Sequence, residues 1–291
     1  MKTWSRRCFL KTSTAAAAAA ITLPVVDGNL FGLGRIEASG YFEREFGITD
    51  EMCREVLAEA LSKGGDFADL FFEHTISNSI MLEDGKVNRA SGNISLGVGI
   101  RTVNGDQVGY GFTQELEKAS MLKAAATAAS IASSSQKKPA ETLKRLKTKN
   151  YYPLDKLLTD IPFDSRLPHV KNLNEKCFSL SPLVRKVNAH FHDQQKRIMI
   201  VTSGGVKVED LQPRNYLAAS VVAEKNGRYE QAGWNMGGRR SFSFYTPEVI
   251  GRIAEKAVGQ AVTLFDAVQP PAGEVPVVLG PGVTAVLLHE A

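Results

Sequence analysis

The chain has 291 residues, of which 43% are hydrophobic and 23% are charged. This balance excludes an intrinsically disordered protein and leaves room for one large or two modest domains. Its three cysteines are too few for a disulfide framework or an all-cysteine zinc cage. The formal net charge of +4 is concentrated near the N-terminus, and the near-neutral remainder disfavours a nucleic-acid partner.

Residues 1–38 have the pattern of a twin-arginine export signal followed by a linker. The pair Arg6-Arg7 precedes Phe9-Leu10-Lys11, and a weakly hydrophobic, alanine-rich stretch runs from Thr12 to Val26. Paired arginines before such a stretch are typical of a signal that an export receptor reads directly. The stretch is shorter than the ~20 residues that cross a bilayer, so we expect no stable membrane span. The alternative is an ordinary N-terminal helix with a chance arginine pair. We favour the signal, and with it export to the periplasm.

Residues 39–149 are predicted to form an N-terminal α+β unit. Thr49 to Lys63 has the apolar spacing of an amphipathic helix, with Thr49 or Asp50 as its cap and Gly64-Gly65 as its stop. Alternating segments joined by tight turns then predict strands. These strands are Ala68 to Leu82, Asn93 to Val103 and Gln107 to Phe112; an alanine-rich helix from Gln114 to Ser133 and a polar connector from Gln136 to Lys149 follow.

Residues 150–291 repeat this order as a second α+β unit. A helix from Asp164 to Leu180, strands over 183–244 and a helix opening at Pro247 are predicted, and then a short buried strand from Glu274 to Leu279. Ile80-Met81-Leu82 corresponds to Ile198-Met199-Ile200, so we infer an internal duplication of a helix–strands–helix unit. The fold class is α+β, with mainly antiparallel sheet flanked by helices. Cys53 and Cys177 are a candidate disulfide bridge or two buried thiols, and we favour the thiols.

The last segment carries the candidate catalytic chemistry. Gly280-Pro281-Gly282 turns the chain into an apolar helix, on which His289 and Glu290 are adjacent. Such a pair on an apolar helix opens a zinc-peptidase signature, in which the histidine binds the metal and the glutamate acts as general base on the attacking water. A capped helix end is the alternative explanation of the dipeptide alone.

The residues around this pair resemble the TldD/PmbA family of metallopeptidases. The resemblance rests on Ala272 to Gly282 with Leu287 to Ala291, on the glycine-rich hairpin formed by Ser95 to Arg101 and Gln107 to Phe112, and on the alanine-rich helix after that hairpin. It implies a zinc enzyme that hydrolyses peptide bonds of small or unfolded polypeptides. His289 matches the first zinc ligand of the family motif, and Glu290 matches its general base.

The same resemblance implies that further zinc ligands and a C-terminal domain lie in sequence that this chain lacks. We therefore expect the chain to be an N-terminal portion that is inactive alone, or else a non-catalytic, peptide-binding partner subunit. Family members work as dimers that enclose the active site, often pairing an active with an inactive homologue. A homodimer or a heterodimer with a family homologue is thus implied.

Other motifs have less specific interpretations. His190 and His192 lie two apart in a predicted strand and share a face, either as a metal-binding pair or as part of a polar face, and we favour the polar face. His74 is predicted to be a surface histidine. Arg239 and Arg240 are either contacts for a substrate carboxylate or part of an exposed turn, which we favour. Exposed strand edges are further candidates for aligning an extended peptide.

Overall fold

A seven-stranded sheet organises the computed structural model, which describes residues 40–132, 139–282 and 284–290. The predicted export signal lies outside the described residues. The strands are β1 (Phe67–Glu83), β2 (Lys86–Asn104), β3 (Gln107–Thr113), β4 (Lys144–Arg145), β5 (Val184–Thr202), β6 (Val206–Lys225) and β7 (Arg228–Gly238). Tight turns join β1 to β2, β2 to β3, β5 to β6 and β6 to β7 as hairpins. Their order is β3-β2-β1-β5-β6-β4, with β7 also paired to β6. Only the short β4 pairs in parallel, so the predicted α+β class with mainly antiparallel sheet is confirmed.

The predicted α-helices are present in the described residues, with ends that differ by a few residues and with one addition near the start. They are α1 (Tyr41–Phe46), α2 (Asp50–Ala60), α3 (Lys118–Ile131), α4 (Leu167–Leu180), α5 (Pro247–Thr263) and α6 (Thr284–Glu290). The Thr49 hydroxyl accepts a hydrogen bond from the Met52 amide at the start of α2, as expected for an N-cap. The sequence prediction missed α1, a single short turn between Gly40 and Gly47.

Two apolar clusters lie on the same face of the sheet, at opposite ends of its long central strands. Alternate residues of a strand share a face, and Leu70 and Phe72 of β1 pack with α1, α2 and α3 in the first cluster. Ile80 and Leu82, further along the same strand, pack with α4 and α5 in the second cluster. The strand register therefore places both helical layers over one side of the sheet and leaves a polar stretch between them.

Small residues on β3 let helix α3 approach the sheet closely. A Cβ on Gly109 would overlap the carbonyl oxygen of Ala128, and one on Gly111 would overlap that of Ala124. The sequence left open whether these glycines mark bulges or closely approaching backbones. The structure shows close approach.

Several predicted bounds are wrong, and each error has a physical cause. Glu274 to Leu279 is no strand and is not buried, since Val277 and Val278 are exposed. Its apolar residues favour burial, but a buried strand also needs a neighbouring strand to pair with. The connector contributes β4, which pairs beside β6. Strand β7 ends at Gly238 and is followed by a short 3₁₀ helix, Phe242–Phe244.

The two halves of the chain are joined in one sheet. Strand β1 pairs with β5 in antiparallel register from Asp69 opposite Thr202 to Glu83 opposite Asn188. Each half shows the same order of a helix, three antiparallel strands and a helix, in agreement with the repeat order read from the sequence. The duplication itself and the division near residue 150 remain predictions.

Cys53 and Cys177 are free buried thiols, as the sequence analysis favoured. Burial raises the pKa of each to about 12, and the thiolate is the reactive form of cysteine. We expect both to resist alkylation by iodoacetamide at pH 8 in the native protein and to react fully in 6 M guanidinium chloride. Peptide mapping by mass spectrometry would locate the label; rapid native labelling of either residue would contradict the prediction.

Candidate functional site

The two predicted site residues lie at the end of helix α6. His289 and Glu290 are adjacent and both are exposed, as are Leu287 and Leu288. The predicted apolar helix is therefore present, but its apolar side chains have no core to pack against within the described residues. Exposed apolar surface of this kind is typical of a face that contacts another protein segment.

The described residues do not fit a complete zinc site. Catalytic zinc is normally held by three protein ligands, and no group of three or more histidine, cysteine, aspartate or glutamate side chains in the described part of the chain is placed to hold a metal ion. His289 and Glu290 thus stand as a partial donor set. The described residues place no further metal-binding side chain beside them, and nothing in their geometry argues against metal binding by the pair.

A buried polar network, which sequence reasoning missed, fills part of the gap between the two apolar clusters. Arg166 is completely buried, and its Nε donates to Oδ2 of Asp193 at 2.5 Å. Its other nitrogens donate to main-chain carbonyl oxygens of Leu158, Ile161 and Pro162. Asp193 also accepts from Asn78 Nδ2 at 2.9 Å. Every nitrogen of this guanidinium has an acceptor, so the network fixes the segment before α4 against β5.

A second buried arginine, Arg197, lies on the same face of β5, towards the first cluster. Its guanidinium carbon is 4.2 Å from the centroid of the Tyr41 ring, and His74 lies directly opposite it on β1. The Tyr41 hydroxyl and His74 Nδ1 are 2.7 Å apart. Burial and the neighbouring Arg197 charge lower the pKa of His74. His74 is thus half-buried against α1 and partly exposed, so the prediction of a surface histidine is only partly right.

His190 and His192 share a face of β5, as their spacing predicts. Their ring centroids are 6.3 Å apart; His190 Nε2 lies 2.8 Å from the Ser79 hydroxyl, and the His192 ring contacts Tyr216. Burial lowers the pKa of both imidazoles. In the described part of the chain no third donor joins them. The contacts with Ser79 and Tyr216 are those expected of a polar face, and the choice between the two interpretations stays a prediction.

Arg239 and Arg240 follow strand β7 directly. The guanidinium carbon of Arg239 lies 4.6 Å from the Tyr152 ring centroid, and that of Arg240 lies 5.5 Å from the Phe244 ring centroid. Both charges are therefore held over aromatic rings near the surface. Contact with a substrate carboxylate remains a prediction for this pair.

Comparison with known proteins places these features in a family. Residues 68–132 match the model described as PmbA/TldA metallopeptidase domain 1, and residues 156–265 match the PmbA/TldA metallopeptidase central domain. A Haemophilus influenzae protein named metalloprotease TldD homolog is 30% identical over 236 residues, covering 78% of this chain and 48% of that protein. The chain spans about half the length of the curated relatives it matches.

Solved structures show the same fold. A Thermotoga maritima protein, described as a candidate modulator of a DNA gyrase, aligns with a TM-score of 0.61 at 18% identity, covering 77% of this chain and 50% of the other. TldE from Thermococcus kodakarensis aligns with a TM-score of 0.54 at 15% identity, covering 72% and 47%. None of the helices in the described part of the chain combines the length and hydropathy that a bilayer crossing requires.

Proposed function

We propose that this chain, which carries domain 1 and the central domain of the PmbA/TldD metallopeptidase family, works in a zinc-dependent peptidase that hydrolyses small or unfolded polypeptides. The observation that carries the proposal is the His289-Glu290 pair on helix α6, which follows the matched central domain. The name of the Haemophilus influenzae relative supports a metalloprotease. Zinc is the metal that the histidine–glutamate pattern favours.

In this proposal the two residues have separate roles. Glu290 is the general base, which accepts a proton from the attacking water and passes it to the leaving amine. His289 supplies one nitrogen ligand, and zinc polarises the scissile carbonyl when it is bound. The remaining ligands are expected outside the described residues. Their approach would cover the exposed leucines of α6, which is consistent with the exposure of that helix.

Three further parts of the proposal concern the setting of the enzyme. Residues 1–38 direct export through the twin-arginine route to the periplasm. The protein works as a homodimer or a heterodimer with a family homologue, and the dimer helps to enclose the site. Its substrate is an extended peptide, which reaches the site as an unfolded chain.

Replacing Glu290 by glutamine tests the role of the base. In the protein expressed from its complete reading frame, we expect Glu290→Gln to retain stoichiometric zinc and to lower kcat by about 10²–10⁴-fold, because proton transfer is lost while the metal ligand stays. Inductively coupled plasma mass spectrometry measures the zinc, and mass spectrometry follows cleavage of an unfolded polypeptide. Glu255→Gln, at an exposed position of α5, is the matched control and should change neither quantity. Full turnover in Glu290→Gln would contradict the assignment.

A second candidate function is a non-catalytic peptide-binding partner of a related peptidase. The absence of a three-donor group from the described residues favours it. Under this alternative the complete protein would bind unfolded peptides, hold less than stoichiometric zinc, and show no turnover without a homologue. Full activity of the purified protein alone would exclude it.

A further inference from the structure

Arg197 is a buried cation whose hydrogen-bonding capacity is unused. The residue is 7% exposed, and its Nη1 is buried without a hydrogen-bond partner. Arg166, on the same face of the sheet, has an acceptor for each of its nitrogens. A guanidinium offers five N–H donors and stays charged at all relevant pH values. An unpaired buried charge is costly, and such a charge indicates a missing acceptor.

Glu209, whose charge acts on Arg197, already accepts hydrogen bonds from other donors. The two carboxylate oxygens of Glu209 accept hydrogen bonds from the main-chain amides of Gly40 and Tyr41, at 2.8 and 2.9 Å. These bonds hold the start of α1 in place, so Tyr41 covers one face of the guanidinium with its ring. The edge of the guanidinium is left for an acceptor.

His74 provides a second donor next to this edge. It lies opposite Arg197 in the β1–β5 register, where side chains of adjacent strands are neighbours. When the Tyr41 hydroxyl donates to His74 Nδ1, the neutral imidazole carries its proton on Nε2 and donates from there. Tyr41 and His74 are both partly exposed, so a ligand can reach this pair from solvent.

We propose that Arg197 and His74 bind the C-terminal carboxylate of an extended peptide. A carboxylate matches the planar fork of arginine and accepts a further bond from the imidazole. The charged side chains that act on Arg197 are Arg44, Glu209 and Glu45. One positive and two negative charges leave a net charge of −1 around it, which disfavours a doubly charged phosphate relative to a carboxylate. The peptide as carrier of the carboxylate rests on the proposed peptidase function. Binding needs no turnover, however, so the two proposals can fail separately.

The test compares two forms of one peptide. N-acetyl-hexaalanine with a free C-terminus and the same peptide with a C-terminal amide are titrated into the wild-type protein by isothermal titration calorimetry. We expect the free acid to bind at least about tenfold more tightly, which corresponds to about 1.4 kcal/mol, since the amide cannot replace the charge-assisted hydrogen bonds of a carboxylate. Arg197→Met should remove the difference, and His74→Asn should reduce it. Inorganic phosphate should not compete at equal concentration.

Stability measurements separate a binding role from a structural one. Without peptide, Arg197→Met should raise Tm by about 2–8 °C, because an unpaired buried charge is replaced by an apolar side chain. Equal affinity for acid and amide, no binding of either, a preference that survives in Arg197→Met, or equally effective competition by phosphate would each overturn the proposal. If Arg197→Met fails to fold, the His74→Asn comparison decides the outcome.

Discussion

Replacing Arg166 by methionine is expected to lower the free energy of unfolding by about 3–5 kcal/mol, the range found when one partner of a buried ion pair is removed. The change leaves Asp193 buried with Asn78 as its remaining side-chain donor. It also frees the carbonyl oxygens of Leu158, Ile161 and Pro162 from their shared donor. Urea unfolding followed by circular dichroism measures the loss from the shift of the midpoint at constant m.

Arg197→Met is the matched control for this prediction. Both arginines are buried on the same face of the sheet, but only Arg166 has an acceptor for every nitrogen. Methionine at 197 is therefore expected to stabilise the protein. The double variant Arg166→Met/Asp193→Leu should recover much of the loss, since neither charge of this pair then remains buried without its partner. A loss below about 1 kcal/mol for Arg166→Met, the size of an exposed pair, would contradict the burial of this ion pair.

A methyl group at either of two glycines of β3 is expected to destabilise the protein by at least about 3 kcal/mol, the upper part of the range for overpacking. Gly109→Ala would drive a Cβ into the carbonyl oxygen of Ala128, and Gly111→Ala would do the same at Ala124. Both obstacles are backbone atoms of α3, so relief requires the whole helix to move. Thermal and urea unfolding of the single variants measure the effect.

Gly251→Ala is the control for the glycine substitutions. This residue lies inside α5, and a Cβ there would meet no atom within 4 Å. Alanine is the better helix former by about 1 kcal/mol, so this change should stabilise the protein. Wild-type stability in both β3 variants would show that α3 lies further from the strand than the structure places it.

Local patterns predicted most of the secondary structure because they act within a few residues. The Thr49 cap and the tight turns between strands depend on nearest neighbours along the chain, and the structure contains both. Helix α2 ends at Ala60, before the predicted stop at Gly64-Gly65. Helix α1 escaped prediction because its six residues contain too little repetition to show a period.

Long-range contacts could not be predicted in the same way. The Arg166–Asp193 pair depends on how the segment before α4 lies against β5, and no spacing in the sequence encodes that contact. The Glu274 to Leu279 segment shows the opposite error, since its apolar run predicts a buried strand although the described fold offers it no partner strand. His289 and Glu290 are candidates because of their sequence motif. The further zinc ligands that the proposed function requires beside them are still a prediction.

The continuous pairing of β1 with β5 limits how this protein can move. Hydrogen bonds link these strands from Asp69 opposite Thr202 to Glu83 opposite Asn188. The two helical layers therefore pack on the same pair of strands. A hinge motion that separates the two helical layers would have to break the hydrogen bonds between β1 and β5. Movement within the described residues is therefore expected in the loops and in α6 rather than between the two helical layers.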